Sequence, residues 1–142
     1  IGLHGISATH ANLQPVSSFK TYISSIRKVP EGQSIGYGRK SYTTRPSRIA
    51  VIPVGYADGL NRHLSNRVGN VFIKGKRVPI IGNICMDTCM IDVTDTNATI
   101  GDEVEIFGKH ILVTELSEQL GTIPYEILTG ISHRVKRVYY KE

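Results

Sequence analysis

A series of short β-branched runs separated by turn residues constrains the fold of this chain more than any other feature. From Arg48 onward the runs are RIAVIPVGY (48–56), NVFIKGKRVPIIG (70–82) and CMIDVT (89–94). The second run predicts two strands joined across Gly75. The third alternates, so that Cys89, Ile91 and Val93 share one face of a strand. Many short strands at near-regular spacing are typical of an antiparallel sandwich or barrel, and the sequence therefore predicts a mainly β domain.

The segments on either side of this series are predicted to add further strands. SSFKTYISSIRKV (17–29) fits a helix about as well as a strand, but the turn at 30–32 favours two strands joined by that turn, the second over 34–38. VEIFGKHILV (104–113) predicts a second hairpin, and ISHRVKRVYY (131–140) predicts a basic terminal strand. These segments would extend the β-structure towards both ends of the chain.

Two short helices are expected to interrupt the strands near residues 114–130. In TELSEQLGT, Thr114 is placed to act as the N-cap and Gly121 to end the helix. In IPYEILTG, Pro124 suits a first helical position and Gly130 ends the segment. The fold class predicted from these patterns is therefore a β-domain that carries one or two short helices.

Composition narrows the classes of function. The 142 residues carry a net charge of +5, and the basic residues form only short clusters. No RNP, KH or zinc-finger pattern accompanies these clusters, so we expect solubility and ion pairing rather than nucleic-acid binding. No apolar run approaches the ~20 residues that span a bilayer, so we expect no membrane span and, with two free cysteines, a cytoplasmic protein. Cys85 and Cys89 lie too far apart along a strand for a disulfide, and we expect free thiols and no metal site.

Two tyrosines beside glycines are the candidate chemical groups. Tyr37 stands in SIGYGRKSY and Tyr56 in IPVGYADGL, and glycine lets a ligand approach the backbone closely. A tyrosine can act as a general base, but its ordinary pKa of about 10 must then fall by about 3 units. Such a shift requires a nearby cation or strong hydrogen-bond donors. Simple packing of a strand tyrosine also explains the pattern, so local chemistry alone leaves both alternatives open.

The order of the motifs resembles that of the C-terminal domain of the alanine racemase family. The matching segments are VPEGQSIGYGRKS, RIAVIPVGYADGLNR, KRVPIIGNICMDTCMIDVT, IGDEVEIFG and LGTIPYEILTGISHRVKRVY. They cover nearly all of residues 16–140, and the G-Y-A-D-G and C-M-D elements are specific in combination. The opening IGLHGIS resembles the last strand of the family's N-terminal barrel, with His4 where tyrosine is common.

This resemblance implies an antiparallel β-barrel for residues 15–142, and the end of an N-terminal (β/α)₈ barrel with its connection for residues 1–14. It implies the interconversion of L-alanine and D-alanine for peptidoglycan synthesis, with pyridoxal 5'-phosphate (PLP) held by a lysine outside this chain. It also implies a head-to-tail homodimer in which each β domain completes the active site of its partner. We therefore expect a C-terminal fragment that is inactive alone.

The resemblance also assigns roles to individual residues in substrate turnover. Tyr37 matches the tyrosine that exchanges a proton with L-alanine, on the face of the substrate opposite the PLP lysine. Tyr56 matches the residue that lines the substrate end of the pocket. Met86 matches the residue whose backbone N–H meets the substrate carboxylate, and Asp87 lies beside it. These four positions are the predicted catalytic and substrate-binding residues.

Further positions are matched to the cofactor or depart from the family pattern. Tyr125 matches a tyrosine that hydrogen-bonds the PLP phosphate and narrows the entrance, and Ile1 aligns with a residue whose backbone amide touches that phosphate. Asn83 stands where many relatives carry arginine, which is expected to alter the charge of the substrate passage. None of the lysines in this chain lies in the motif that holds PLP covalently in the family. The PLP lysine is therefore expected to lie upstream of Ile1.

Two alternative functions stay open at this point. A racemase for other or several amino acids, such as lysine or serine, shares the same motifs. A non-catalytic β-barrel that binds RNA or a protein would also account for the strands and the net positive charge. The resemblance extends to longer chains in which a cell-wall peptide ligase is fused to the racemase.

Overall fold

Antiparallel β-sheet makes up most of the regular structure in the computed structural model, which describes residues 16–140. The strands and helices, in chain order, are β1 (Phe19–Tyr22), β2 (Ser25–Val29), β3 (Ser34–Ile35), β4 (Ser41–Tyr42), β5 (Ser47–Ile52), β6 (Asn70–Ile73), β7 (Lys76–Ile81), β8 (Cys89–Asp92), β9 (Glu103–Phe107), α1 (Val113–Leu120) and α2 (Pro124–Thr129). Among these residues no helix is long and apolar enough to cross a membrane. The predicted mainly β class is confirmed.

One bent segment closes the main sheet on itself. The sheet has the strand order β1-β9-β6-β7-β8-β5-β2, so its two edge strands are consecutive in the chain. Only Ile23 and Ser24 separate them, and both residues continue the pairing on opposite sides. The Ile23 N–H donates to the Asp102 carbonyl at 3.0 Å, and the Ser24 N–H donates to the Val51 carbonyl at 2.9 Å. The sheet therefore curls into a barrel, as predicted.

The interior of the barrel is aliphatic. Cys89, Ile91 and Val93 are all fully buried, which confirms the predicted alternation along β8. β6 and β7 form the predicted hairpin, and Gly75 in its turn has a φ of 78°. Burying each large aliphatic side chain contributes about 1.5–3 kcal/mol. The barrel interior is thus filled with side chains, which favours ligand sites on its outer surface or among its loops.

Both predicted helices form. α1 begins at Val113, with Leu112 as its N-cap, so the predicted cap Thr114 lies one residue inside the helix. Its end at Gly121 is as predicted. α2 starts at Pro124, which supplies the fixed φ of a first helical residue. Leu116 is buried in the barrel core, and the helices cover one part of the barrel with their apolar faces.

The predicted hairpin at 104–113 is wrong in its second half. β9 ends at Phe107, and no strand follows it before α1. The side chain of Glu105 takes the place of a strand partner, because its Oε1 accepts hydrogen bonds from the N–H groups of His110 at 2.7 Å and Ile111 at 3.2 Å. A buried carboxylate therefore holds this connection, which a period-two pattern does not reveal.

Two further strand predictions also need correction. Residues 131–140 form no strand, since the Ser132 N–H bonds the Asp58 carbonyl and the Val135 N–H turns back to Ser132. The strand expected over 34–38 stops after two residues, and Tyr37 lies on a 3₁₀ turn that runs from Tyr37 to Arg39. Tyr37 is thus presented by a tight turn and is not part of a strand.

Candidate functional site

Four of the predicted site residues line one cleft of about 880 Å³ on the outside of the barrel. They are Tyr37, Tyr56, Met86 and Asp87. The remaining lining residues are Arg62, Asn83, Ile84, Cys85 and Thr88. The Tyr37 side chain is 81% exposed, so its ring lies outside the core of this domain. The fold therefore brings together residues from three separate motifs on an accessible surface.

The turn that presents Tyr37 depends on the small residue before it. Gly36 has a φ of 74°, and a Cβ there would lie 2.8 Å from the Cε of Met90. A side chain would be strained in this conformation and would press on the barrel. The turn is also held from outside, because Asn83 Nδ2 donates to the Tyr37 carbonyl at 2.7 Å. The glycine lets the backbone pass close to the barrel while the phenol points away from it.

The G-Y-A-D-G segment (55–59) is packed between two other backbone segments. A Cβ on Gly55 would lie 2.3 Å from the carbonyl oxygens of both Cys85 and Met86. The Tyr56 N–H donates to the Cys85 carbonyl, and the next N–H donates to the Met86 carbonyl, both at 3.0 Å. On the other side, a Cβ on Gly59 would lie 2.7 Å from a carbonyl oxygen at the end of α2. The two glycines are thus required by close backbone contact.

A charged cluster fixes the same wall of the cleft. Asp58 is buried, and its Oδ2 accepts the Gly55 N–H at 2.8 Å. Arg134 reaches in from the C-terminal segment and bonds Asp58 Oδ1 at 2.7 Å and Asp87 Oδ1 at 2.6 Å. Burial by itself raises the pKa of Asp58, but the hydrogen bonds from Arg134 and Gly55 outweigh it and leave that pKa lowered. Asp58 is therefore an ionised structural group, and it holds the arginine that bonds Asp87.

The structure describes one of the two predicted cofactor residues, Tyr125. Tyr125 is the second residue of α2, is about half exposed, and lies outside the set of residues that line the cleft. Ile1 and His4 fall outside the described residues, as does the predicted boundary between residues 14 and 15. The predicted contacts of Tyr125 and Ile1 with a phosphate therefore stay predictions.

Sequence reasoning did not identify two basic residues of the site. Arg62 lines the cleft three residues after the G-Y-A-D-G motif, and Arg134 bridges Asp58 and Asp87. The basic HRVKR cluster (133–137) was the available signal for Arg134, but it was interpreted as part of a strand. The resulting cleft combines phenols, a carboxylate, an amide and a guanidinium. Such a set can exchange a proton and bind an anionic carboxylate.

Comparisons with known proteins agree on one family. The family model described as "Alanine racemase, C-terminal domain" matches residues 16–139. The chain is 52% identical over 133 residues to alanine racemase 2 of Caldanaerobacter subterraneus subsp. tengcongensis, covering 90% of this chain and 34% of that protein. It thus spans about a third of that relative's length.

Solved structures give the same result. The crystal structure of the biosynthetic alanine racemase from Pseudomonas aeruginosa matches with a TM-score of 0.88 and 35% identity, over 98% of this chain and 39% of that one. The alanine racemase from Bartonella henselae with covalently bound pyridoxal phosphate matches with a TM-score of 0.83 and 39% identity, over 87% of this chain and 34% of that one. This chain therefore belongs to the alanine racemase C-terminal domain family.

Proposed function

We propose that the protein containing this chain is an alanine racemase, and that Tyr37 exchanges a proton with the α-carbon of the amino acid. The observation that carries the proposal is the convergence of Tyr37, Tyr56, Met86 and Asp87 on one exposed cleft, in a chain of this family. On this proposal residues 15–142 form the C-terminal domain, and residues 1–14 end the preceding PLP-binding barrel.

The residues of the cleft are suited to face a cofactor but not to hold it covalently. The Bartonella henselae relative carries covalently bound pyridoxal phosphate. A covalent link of this kind uses a lysine, and no lysine is among the residues that line the cleft in the described part of the chain. On this proposal the lysine that holds PLP lies outside this chain. When bound, PLP withdraws electrons from the amino acid and so acidifies its α-hydrogen.

The chain's own groups would divide the remaining work. The Tyr37 oxygen accepts the α-proton of L-alanine in one direction and returns it in the other. The Met86 N–H has no acceptor within residues 16–140, so it is available to donate to the substrate carboxylate. Tyr56 limits the size of the substrate at the end of the cleft. Asp87, held by Arg134, fixes the orientation of the loop that carries Met86. Tyr125 and the backbone of Ile1 would contact the cofactor phosphate.

A second subunit would complete this site. Tyr37, Tyr56 and Met86 are all exposed in this chain, whereas closing an active site excludes water and strengthens the electrostatic interactions inside it. We therefore propose a head-to-tail homodimer in which the cleft covers the cofactor face of its partner, and a fragment that is inactive alone. Production of D-alanine for peptidoglycan in the cytoplasm is the biological role that follows from this activity.

The replacement Tyr37→Phe in the full-length enzyme tests the proposal. Loss of the phenolic oxygen should reduce the turnover of L-alanine by about 10²–10⁴-fold, the usual contribution of a positioned acid or base. The visible absorbance of bound PLP should not change, because Tyr37 does not hold the cofactor. Tyr42→Phe is a matched control, since Tyr42 is exposed on β4 and lies outside the cleft lining. Turnover near the normal rate in Tyr37→Phe would exclude the assignment.

A further inference from the structure

Two asparagine side chains connect the Tyr37 turn to the body of the barrel. Asn83 Nδ2 donates to the Tyr37 carbonyl at 2.7 Å, and Asn66 Nδ2 donates to Asn83 Oδ1 at 3.0 Å. Asn66 Oδ1 in turn accepts a hydrogen bond from Ser41 Oγ at 2.8 Å. These contacts form a continuous chain from one end of the β3–β4 hairpin to the other, which we call the amide relay (Ser41, Asn66, Asn83 and the Tyr37 carbonyl).

The amide relay has a single direction. Each asparagine accepts with its oxygen and donates with its nitrogen. Rotating either amide by 180° would therefore place a donor against a donor or an acceptor against an acceptor. Hydrogen bonds linked in this way polarise and strengthen one another. An arginine at position 83 would break the chain, because a guanidinium has no acceptor for the Asn66 amide. The relay therefore depends on an asparagine at position 83.

The two asparagines in the middle of the relay are fixed to the barrel. The Asn66 N–H donates to the Gly82 carbonyl at 3.0 Å, and the following N–H, from Arg67, donates to the Ile80 carbonyl at 2.7 Å. Asn66 has a φ of 57°, a conformation that asparagine tolerates better than most residues. Asn83 directly follows Gly82, whose backbone lies so close to Ile35 that an added Cβ would be 2.9 Å from the Ile35 carbonyl oxygen. Both amides are thus anchored by the backbone next to the end of β7.

The Tyr37 turn, at one end of the relay, is otherwise weakly held. Within residues 16–140, the bond from Asn83 is the one hydrogen bond that joins residues 36–40 to the barrel outside their own hairpin. Two glycines flank Tyr37 and give the turn little rigidity of its own. Tyr37 is 81% exposed, so burial of its ring contributes little to fixing its position. The position of the phenol is therefore controlled through its carbonyl.

We propose that Asn83, supported by Asn66, is a positioning residue that holds Tyr37 at the distance needed for proton transfer. This inference rests on the proposed role of Tyr37. Misplacement of a reacting group by about 1 Å can cost about 100-fold in rate, which is the scale at which such a support matters. Asn83 contributes to catalysis through the Tyr37 backbone and does not need to touch the substrate.

The test is Asn83→Asp in the full-length holoenzyme. The new carboxylate has nearly the same size but places an acceptor against the Tyr37 carbonyl, so the turn should move away. We expect turnover to fall about 10- to 100-fold, with an unchanged PLP absorbance. Asn97→Asp is the matched control, because Asn97 is exposed and outside the cleft. Asn83→Ala, which adds no charge, should act in the same direction.

Isotope effects separate positioning from general damage. Tyr37 removes the proton from L-alanine, whereas the opposite base removes it from D-alanine. A displaced Tyr37 makes its own step more rate-limiting, so the kinetic isotope effect should rise with Cα-deuterated L-alanine and fall with Cα-deuterated D-alanine. A variant that merely loses folded enzyme lowers both rates and leaves both isotope effects unchanged. Unchanged isotope effects in Asn83→Asp and Asn83→Ala would overturn the inference.

The two proposals fail in different ways. If Tyr37→Phe turns over L-alanine normally, the proposed function is wrong, whatever Asn83 does. If Tyr37→Phe is inactive while the Asn83 variants keep normal isotope effects, only the positioning role is wrong. In a Tyr37→Phe background, Asn83→Asp should cause no further loss of the residual activity, because its effect passes through the missing phenol.

Discussion

Two glycines in this chain are required for different physical reasons. Gly55 has an ordinary extended backbone, but its missing Cβ leaves room for two carbonyl oxygens that would lie only 2.3 Å away. Gly75 has open space around it, but its φ of 78° strains any other residue. The sequence shows both as glycines before a turn or loop, and it does not distinguish them. The partner carbonyls of Gly55 belong to the 85–88 loop, which no local pattern connects to it.

Alanine substitutions should separate these two causes. Gly55→Ala forces backbone segments apart, and we expect it to lower the free energy of unfolding by about 3 kcal/mol or more. Gly75→Ala adds only the strain of a left-handed backbone, so it should lower the free energy of unfolding by about 1–2 kcal/mol. Chemical denaturation of both variants beside the parent protein measures the difference. Equal costs would contradict the close contact between Gly55 and the 85–88 loop.

At the scale of elements, Arg134 joins three segments that are far apart in the sequence. It bonds Asp58 in the G-Y-A-D-G segment and Asp87 in the 85–88 loop, and it belongs to the C-terminal segment itself. The Ser132 N–H adds a backbone bond to the Asp58 carbonyl at 3.1 Å. The cleft wall is therefore assembled by a small ionic cluster rather than by strand pairing.

The pH dependence of stability should reveal this cluster. The pKa of Asp58 is lower in the folded protein than its ordinary value of 3.8, so the unfolded chain binds the proton more readily. Its stabilising contribution is therefore full above about pH 4 and is lost as the pH falls through the folded-state value. Below pH 4, the unfolding free energy of the parent should fall more steeply than that of Asp58→Asn, by up to about 1.4 kcal/mol per pH unit.

Glu118→Gln serves as the control for this measurement, because Glu118 is an exposed carboxylate on α1. It should retain the steep acid dependence of the parent. Parallel pH profiles for the parent and Asp58→Asn would show that Arg134 does not stabilise the ionised carboxylate. Denaturation at a series of pH values between about 2.5 and 6 covers the range in which carboxylates titrate.

Side-chain hydrogen bonds hold the two segments where strand prediction was wrong. β5 to β8 could be predicted because alternation and turn glycines are local signals, as the burial of Cys89 and Ile91 shows. The segments 104–113 and 131–140 have similar apolar patterns, but side-chain bonds from Glu105 and Arg134 determine their conformation. Such bonds depend on tertiary neighbours. The site residues were located through the family motifs; Arg62 and Arg134 lie within the matching family segments, but the resemblance assigned them no role.

At the scale of the whole molecule, closure of the barrel depends on one bend. The sequence predicted many antiparallel strands but left a sandwich and a barrel equally open. The choice is made at Ile23 and Ser24, where the first half of the segment pairs with β9 and the second half with β5. These pairings join distant parts of the chain. No local signal marks the bend, and only the resemblance indicated a barrel.

The replacement Ile23→Ala should weaken the barrel as a unit. Ile23 is fully buried at the bend, and a cavity there is expected to cost about 2–5 kcal/mol of unfolding free energy. Ile123→Ala is a control of the same chemistry, because Ile123 is 59% exposed, and it should cost much less. Denaturation curves for the two variants give the comparison. A small effect at Ile23 would show that the bend is not a central part of the core.

A sheet closed by a bent strand offers little open edge to other chains. β1 pairs with β9 on one side and β2 with β5 on the other, so the unpaired sides extend over only four and five residues. Exposed strand edges nucleate fibrils, and short edges suppress that growth. The main sheet therefore offers a second copy of this chain little strand edge on which to extend it.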